Sequence, residues 1–308
     1  MIFYKKRDEL VRQVGHVSRF DAESDKREAM YGLPKNVAFC TRCVISNQRP
    51  NSTVEFEHTR NSNKTTIFLD YDGTLTPIVS RPEEAILDVS TREVIARLSE
   101  QCPVTIVTGR DISVVREFVR LDQVGYAGCH GLDILGPVGS GLRYEVAVEW
   151  LPLLEAAESS LRRRLDGIEG VIVERKRYSL SAHYRLADPR DTIHVEKAVS
   201  AVLMRYPKLR REGGKMLFEL RPDINWHKGS AVAWMLEATS NSASGAIYIG
   251  DDETDENAFK LLSRTGIGIV VGCEDRQTDA RYRVQDPPQV IQLLEGILSY
   301  LTESRSPD

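Results

Sequence analysis

Phe68-Leu69-Asp70-Tyr71-Asp72-Gly73-Thr74-Leu75 decides how this chain is read: an apolar run ends on an acid, and a glycine lets the backbone turn away. Thr66 to Leu69 is expected as a buried strand, which sets Asp70 at a carboxyl strand end, where open parallel sheets bind their ligands. Taken alone, Asp-x-Asp-Gly fits a solvated turn or a calcium loop as well as a reactive site. The decision rests on what surrounds it.

From Thr65 onward, short apolar runs alternate with longer amphipathic stretches, the rhythm of βα units and a parallel sheet. Core strands are expected at Thr66 to Leu69, Val104 to Val107, Ala246 to Ile249 and Ile267 to Val271. Helices are expected at Ser90 to Glu100, Ile112 to Arg120, Gly229 to Ala238, Asp255 to Leu262 and Pro288 to Leu301. From about Gly139 to Gly213 the rhythm breaks. A helix at Leu151 to Leu165, two alternating segments at Val171 to Glu174 and Tyr178 to Arg185, and a helix from Thr192 to Arg205 make an inserted α+β unit, after which a strand at Met216 to Leu220 is expected to return to the core. The expected fold is α/β: a doubly wound, Rossmann-like parallel sheet (residues 65–138 and 214–308) with an inserted α+β cap (139–213). Residues 1–64 are a polar extension with one helix expected near Lys5 to Val17.

The 308 residues carry 41 basic against 45 acidic side chains, a net charge of -4, so no basic excess points to nucleic acid or to a polybasic membrane surface. An anionic substrate must then be met by a local device such as a bound cation. No run approaches the ~20 apolar residues of a membrane span and no apolar stretch follows the amino-terminal charges, so a cytoplasmic location is expected. Cys102, Cys129 and Cys273 stand alone, as reduced thiols do, and only Cys40 and Cys43 form a pair.

A carboxylate attacks a phosphate dianion poorly because both are negative, so chemistry at Asp70 needs a cation, and Mg²⁺ suits hard oxygen ligands. Asp72 can give a proton to the leaving alkoxide and then take one from water. Val107-Thr108-Gly109-Arg110 ends another apolar strand; its hydroxyl and amides can hold phosphate oxygens, or simply cap a helix. Lys228, in Trp226-His227-Lys228-Gly229, can pair with the nucleophile and the phosphate, or stand on the surface. Asp251-Asp252-Glu253-Thr254-Asp255-Glu256 places five acids in six positions after a strand, a density that favours a metal site because clustered carboxylates repel unless a cation relieves them. Asp251 is the expected direct ligand, with Asp252 and Asp255 orienting it.

These four segments, in this order, resemble the four motifs of phosphatases of the haloacid dehalogenase (HAD) superfamily. The resemblance implies an aspartyl-phosphate enzyme in which Asp70 is the nucleophile and Asp72 the general acid/base. Asp72 also lends its backbone carbonyl to Mg²⁺, Asp251 is the third metal ligand, and Thr108 and Lys228 hold phosphate, with Gly109 and Arg110 beside them.

A closer resemblance, over about residues 65–272, is to trehalose-6-phosphate phosphatases. It rests on Leu69 to Ile78, Ala127-Gly128-Cys129-His130-Gly131-Leu132, Ser179 to Arg185, Phe218-Glu219-Leu220-Arg221-Pro222 and Tyr248 to Glu256. It implies that Glu174, Lys176, His183, Arg185, Lys215 and Glu219 hold a sugar phosphate, though alternating charges on strands are also what solvent faces carry. Three positions depart from the family pattern: Cys129 for Ser or Asn, His227 for Asp, and Asn257 for an acid. Another sugar phosphate, such as sucrose 6-phosphate or a glycosyl phosphoglycerate, remains open as substrate, as does a retained, non-catalytic module in surface-sugar assembly. Phe39 to Pro50 resembles the opening of N-acetyl-sugar amidotransferases, which implies a zinc knuckle at Cys40 and Cys43 or a docking element for a protein partner.

Overall fold

A computed structural model describes residues 46–47, 65–79, 81–214, 216–273 and 276–303. The helix expected near Lys5 to Val17, the Cys40/Cys43 pair and Lys215 lie outside the described residues.

Two sheets organise the molecule. Strands β1 (Ser46–Asn47), β2 (Thr66–Leu69), β3 (Val104–Val107), β4 (Gly125–Gly128), β5 (Asp133–Leu135) and β6 (Arg143–Glu145) belong to the larger one. A smaller sheet is built from β7 (Ile172–Arg175), β8 (Leu180–His183), β9 (Leu209–Gly214) and β10 (Leu217–Pro222). The chain then returns to the larger sheet as β11 (Ala246–Gly250), β12 (Ile267–Val271) and β13 (Tyr282–Val284). The larger sheet runs β1-β13-β12-β11-β2-β3-β4-β5-β6, parallel from β13 to β4 and antiparallel at both edges. From β2 the chain winds outward through β3 and β4, then reappears on the other side of β2 as β11. That reversal sets the ends of β2 and β11 side by side, the place where doubly wound sheets open a crevice.

Alternation along the strands fills both faces. Ile67, Leu69, Ile106 and Ile249 point into one core, closed by helices α1 (Val89–Gln101), α2 (Ile112–Val119) and α7 (Pro287–Glu303). Phe68, Val107, Tyr248 and Val270 point into the other, closed by α5 (Lys228–Ala238) and α6 (Glu256–Leu262). A strand buried on both faces reads as a continuous apolar run, which is why these strands are visible in the sequence. The smaller sheet has one dry face: Leu180, Ala182, Leu209 and Leu220 pack on α3 (Leu151–Leu165) and α4 (Thr192–Arg205).

One strand departs from expectation. The segment expected at Met216 to Leu220 does not return to the core but runs as β10 between β8 and β9, so the smaller sheet continues to Pro222, while Arg143 to Glu145 still pairs in the larger sheet. The reason is alternation: Leu220 joins the dry face while Glu219 and Arg221 share the polar one, a pattern suited to a half-covered antiparallel sheet.

Candidate active site

Asp70 follows β2 directly, and its backbone N–H donates to the Ile249 carbonyl at 2.9 Å, which locks the two strand ends together. Lys228, the first residue of α5, is buried and donates from Nζ to Asp70 Oδ1 and to Asp255 Oδ1, both at 2.8 Å. Burial opposes charge on this ammonium, but Asp255 and Asp70 outweigh it and raise its pKa. Asp255 is fully committed: it also accepts from the Tyr248 hydroxyl at 2.6 Å and from the Asp252 N–H at 2.9 Å. Asp251 is not, because its buried Oδ1 makes no hydrogen bond.

Oxygens of Asp70, Asp251 and Asp255 gather within 4.8 Å of one another. Three carboxylates against one ammonium leave a local excess of negative charge, and the unpartnered Asp251 oxygen supplies an open ligand position. The donor set is hard oxygen, so the residues fit a small divalent cation. Gly73 makes the approach feasible: at φ +81°, a Cβ there would lie 2.0 Å from Asp251 Oδ2.

Burial first, then Asp255, pushes the Asp251 carboxyl up to about 6. A carboxyl that binds its proton more tightly folded than unfolded lowers stability above its folded pKa, and that penalty fades as pH falls toward the unfolded value. In the absence of divalent cation, Asp251→Asn is therefore expected to be more stable than the parent at pH 7 by about 1–3 kcal/mol, with the two converging near pH 4. Urea denaturation in chelator across that range checks it; parallel pH profiles for the two proteins would contradict it.

Asp72 is placed differently. Its carboxylate accepts two bonds from Arg110, at 2.7 Å from Nε and 2.6 Å from Nη2, and Arg110 in turn lies over the Tyr71 and Phe118 rings. Arg110, expected beside the phosphate, thus holds the acid/base candidate. Thr108 is buried at the end of β3, its Oγ1 accepting from the Arg110 N–H at 3.1 Å, with Gly109 beside the His130 ring.

Register on the smaller sheet aligns Glu174, Ser181, Glu219 and Glu212 in one row across all four strands. Next to the row, His183 Nε2 lies 2.8 Å from Glu174, Lys176 Nζ is 3.6 Å from Glu219, and Ser179 Oγ donates to Glu219 at 2.7 Å. The structure therefore brings together Glu174, Lys176, His183 and Glu219, on the face away from α3 and α4. Arg185 is exposed on the turn after β8. The Arg177 backbone N–H reaches across to Asp111 of the core at 3.1 Å, so the connection between β7 and β8 meets the segment that follows β3. A cavity of about 570 Å³ opens at this hinge rather than over Asp70. Its lining includes Lys176, together with Arg143, paired with Asp133 at 2.7 Å, and Arg116, paired with Asp122 at 2.7 Å.

Two departures from the family pattern acquire a physical account. His227 caps α5, its Nδ1 accepting from the Ser230 N–H at 3.1 Å as a capping aspartate would, and burial lowers its pKa so that it stays a neutral acceptor. The Cys129 thiol donates to Asp111 at 2.8 Å. Tyr248, Ser179 and Glu212 take part in these networks without having been singled out from sequence. Tyr248 sits in an apolar strand and reads as core, and the other two show themselves only through register.

The chain matches the trehalose-phosphatase family over residues 68–288. It is 38% identical over 269 residues to the probable trehalose-phosphate phosphatase D of Arabidopsis thaliana, covering 82% of this chain and 73% of that one. Over 247 residues it is also 38% identical to trehalose-phosphate phosphatase B of Arabidopsis thaliana, covering 76% and 66%. Among solved structures, a trehalose-6-phosphate phosphatase related protein superposes with a TM-score of 0.67 at 27% identity, covering 78% of this chain and all of that one. Among the described residues, no helix is long and apolar enough to cross a membrane.

Proposed function

The chain belongs to the trehalose-phosphatase family, and from that premise we propose that it hydrolyses trehalose 6-phosphate to trehalose and phosphate, with phosphate carried transiently on Asp70. The observation that carries the reading is the buried Asp70–Lys228–Asp255 chain beside the open Asp251 oxygen, under a sheet face that groups Glu174, Lys176, His183 and Glu219. Glutamates accept from sugar hydroxyls and lysine donates to them, which is what a disaccharide with little apolar surface requires.

An Asp70 carboxylate oxygen bonds to phosphorus while the bond from phosphorus to the sugar oxygen breaks, and Asp72 gives that oxygen its proton. Asp72 then removes a proton from the water that hydrolyses the acyl phosphate, restoring Asp70. Since Arg110 grips Asp72 through both oxygens, proton transfer at Asp72 requires that grip to loosen on one side. Asp70, Asp251 and the Asp72 carbonyl would hold Mg²⁺, which neutralises the charge between nucleophile and phosphate. Lys228 holds Asp70 in place and opposes the burial that pushes its carboxyl above the usual carboxylate range; Thr108 and Gly109 offer the phosphate their hydroxyl and amide.

Binding of the distal sugar also positions the phosphate, so Glu219→Ala is expected to lower kcat/KM on trehalose 6-phosphate about 100-fold while changing an aryl phosphate by less than about threefold. Steady-state kinetics on both substrates test the reading, and equal losses would count against a recognition role for Glu219. Retention of Asp70, Asp72, Lys228 and Asp251 speaks against the non-catalytic alternative.

A further inference from the structure

Besides Asp251, the side chains of His130 and Arg221 carry buried polar atoms that the protein leaves unsatisfied. His130 sits on the tight turn after β4 at φ 57°, its N–H donating to the Thr108 carbonyl at 2.8 Å. Its ring lies against Gly109, where a Cβ would stand 2.7 Å from Nε2, so the imidazole occupies space that any other residue at 109 would take. The other ring nitrogen, Nδ1, is buried and makes no hydrogen bond.

Arg221 approaches from the opposite layer. It lies two residues beyond Glu219 on β10, hence on the same polar face, with its side chain only 8% exposed. Nη2 donates to Glu212 at 2.6 Å, but Nε and Nη1 are buried with no acceptor. Just past it, Trp226 donates from Nε1 to the Gly131 carbonyl at 2.8 Å and ties the segment leaving β10 to the turn that carries His130. Of the cations acting on His130, Arg221 acts most strongly, and with burial, which weighs more, it keeps the imidazole neutral.

Buried donors and acceptors without partners are rare because each forfeits its bonds to water, and at functional sites they mark where a ligand completes the set. A sugar hydroxyl is complementary here, since it can accept from a guanidinium N–H and donate to an unprotonated imidazole nitrogen. We propose that His130 and Arg221 form a further specificity subsite that grips one ring hydroxyl of the phosphorylated sugar, between the Thr108-Gly109 loop and the polar face of the smaller sheet. The inference rests on the sugar-phosphate reading above and adds the two residues that tell the phosphorylated ring from a featureless ester.

The test uses the full chain with Mg²⁺ and compares the parent with His130→Gly, which adopts the same backbone freely, His130→Asn, which can return a polar atom near Nδ1, and Arg221→Lys, which keeps the charge opposite Glu212. Substrates are trehalose 6-phosphate, its 2-, 3- and 4-deoxy analogues on the phosphorylated ring, and p-nitrophenyl phosphate. His130→Gly is expected to lose about 10- to 100-fold in kcat/KM on trehalose 6-phosphate and less than about threefold on the aryl ester, with Asn recovering part of the loss. One deoxy analogue should penalise the parent by a similar factor, yet cost His130→Gly and Arg221→Lys nothing more. Deoxy penalties that stay unchanged in the variants, or equal losses on sugar and aryl substrates, overturn the subsite and leave the two groups to a trapped water. A parent enzyme that prefers another sugar phosphate sinks the substrate reading alone; the same coupling, measured on deoxy analogues of that preferred substrate, then upholds or overturns the subsite.

Discussion

Asp70→Asn is expected to lower turnover by about 10⁴-fold or more while leaving the protein folded, because an amide of nearly the same shape cannot attack phosphorus. The structure explains why the fold should survive. Lys228 donates to Asp70 Oδ1, and an amide oxygen can accept that same bond. Asp70 is also one of three carboxylates crowded within 4.8 Å, so losing one negative charge relieves repulsion at that point. Phosphate release and thermal unfolding, measured on the same preparation, separate the two effects. A variant that turns over at even a tenth of the parent rate would move the nucleophile elsewhere.

Lys228→Met has the largest expected effect on stability. Lys228 is the buried countercharge between Asp70 and Asp255, and removing it strands both carboxylates away from water. Breaking a buried ion pair by deleting one partner costs about 3–5 kcal/mol, and activity should fall to background with it. The loss is electrostatic, so Lys228→Met combined with Asp255→Asn should recover part of the stability, since neighbouring sites are not additive. Urea denaturation of the single and double variants measures this. A double variant less stable than Lys228→Met by the full cost of Asp255→Asn would show that the charges do not interact.

Much of this architecture is legible in the sequence, for a specific reason. Strands β2, β3, β11 and β12 are buried on both faces and so are written as unbroken apolar runs, with the candidate site acids Asp70 and Asp251 immediately after two of them. What escapes reading is structure imposed by partners. The β4 strand, Gly-Tyr-Ala-Gly, carries two residues that disfavour strands, and β9, Leu-Arg-Arg-Glu-Gly-Gly, reads as a polar loop. β4 is held by its ladder to β3, and β9 by its register against β10. The site shows the same division. The motif acids and Lys228 are recognisable one by one, whereas the grip of Arg110 on Asp72 joins residues 38 positions apart and has no local signature. His130 and Arg221 lie inside stretches that the sequence marks as informative, but only burial without partners distinguishes them from their neighbours.

The most direct measurement is phosphate release from a panel of trehalose 6-phosphate, sucrose 6-phosphate, glucose 6-phosphate and a glucosyl phosphoglycerate, with Mg²⁺ and with excess chelator. Trehalose 6-phosphate is expected to give the highest kcat/KM, at least about tenfold above the next sugar phosphate, with release falling to background in chelator. A different preferred sugar phosphate, or undiminished release without divalent cation, would contradict the account.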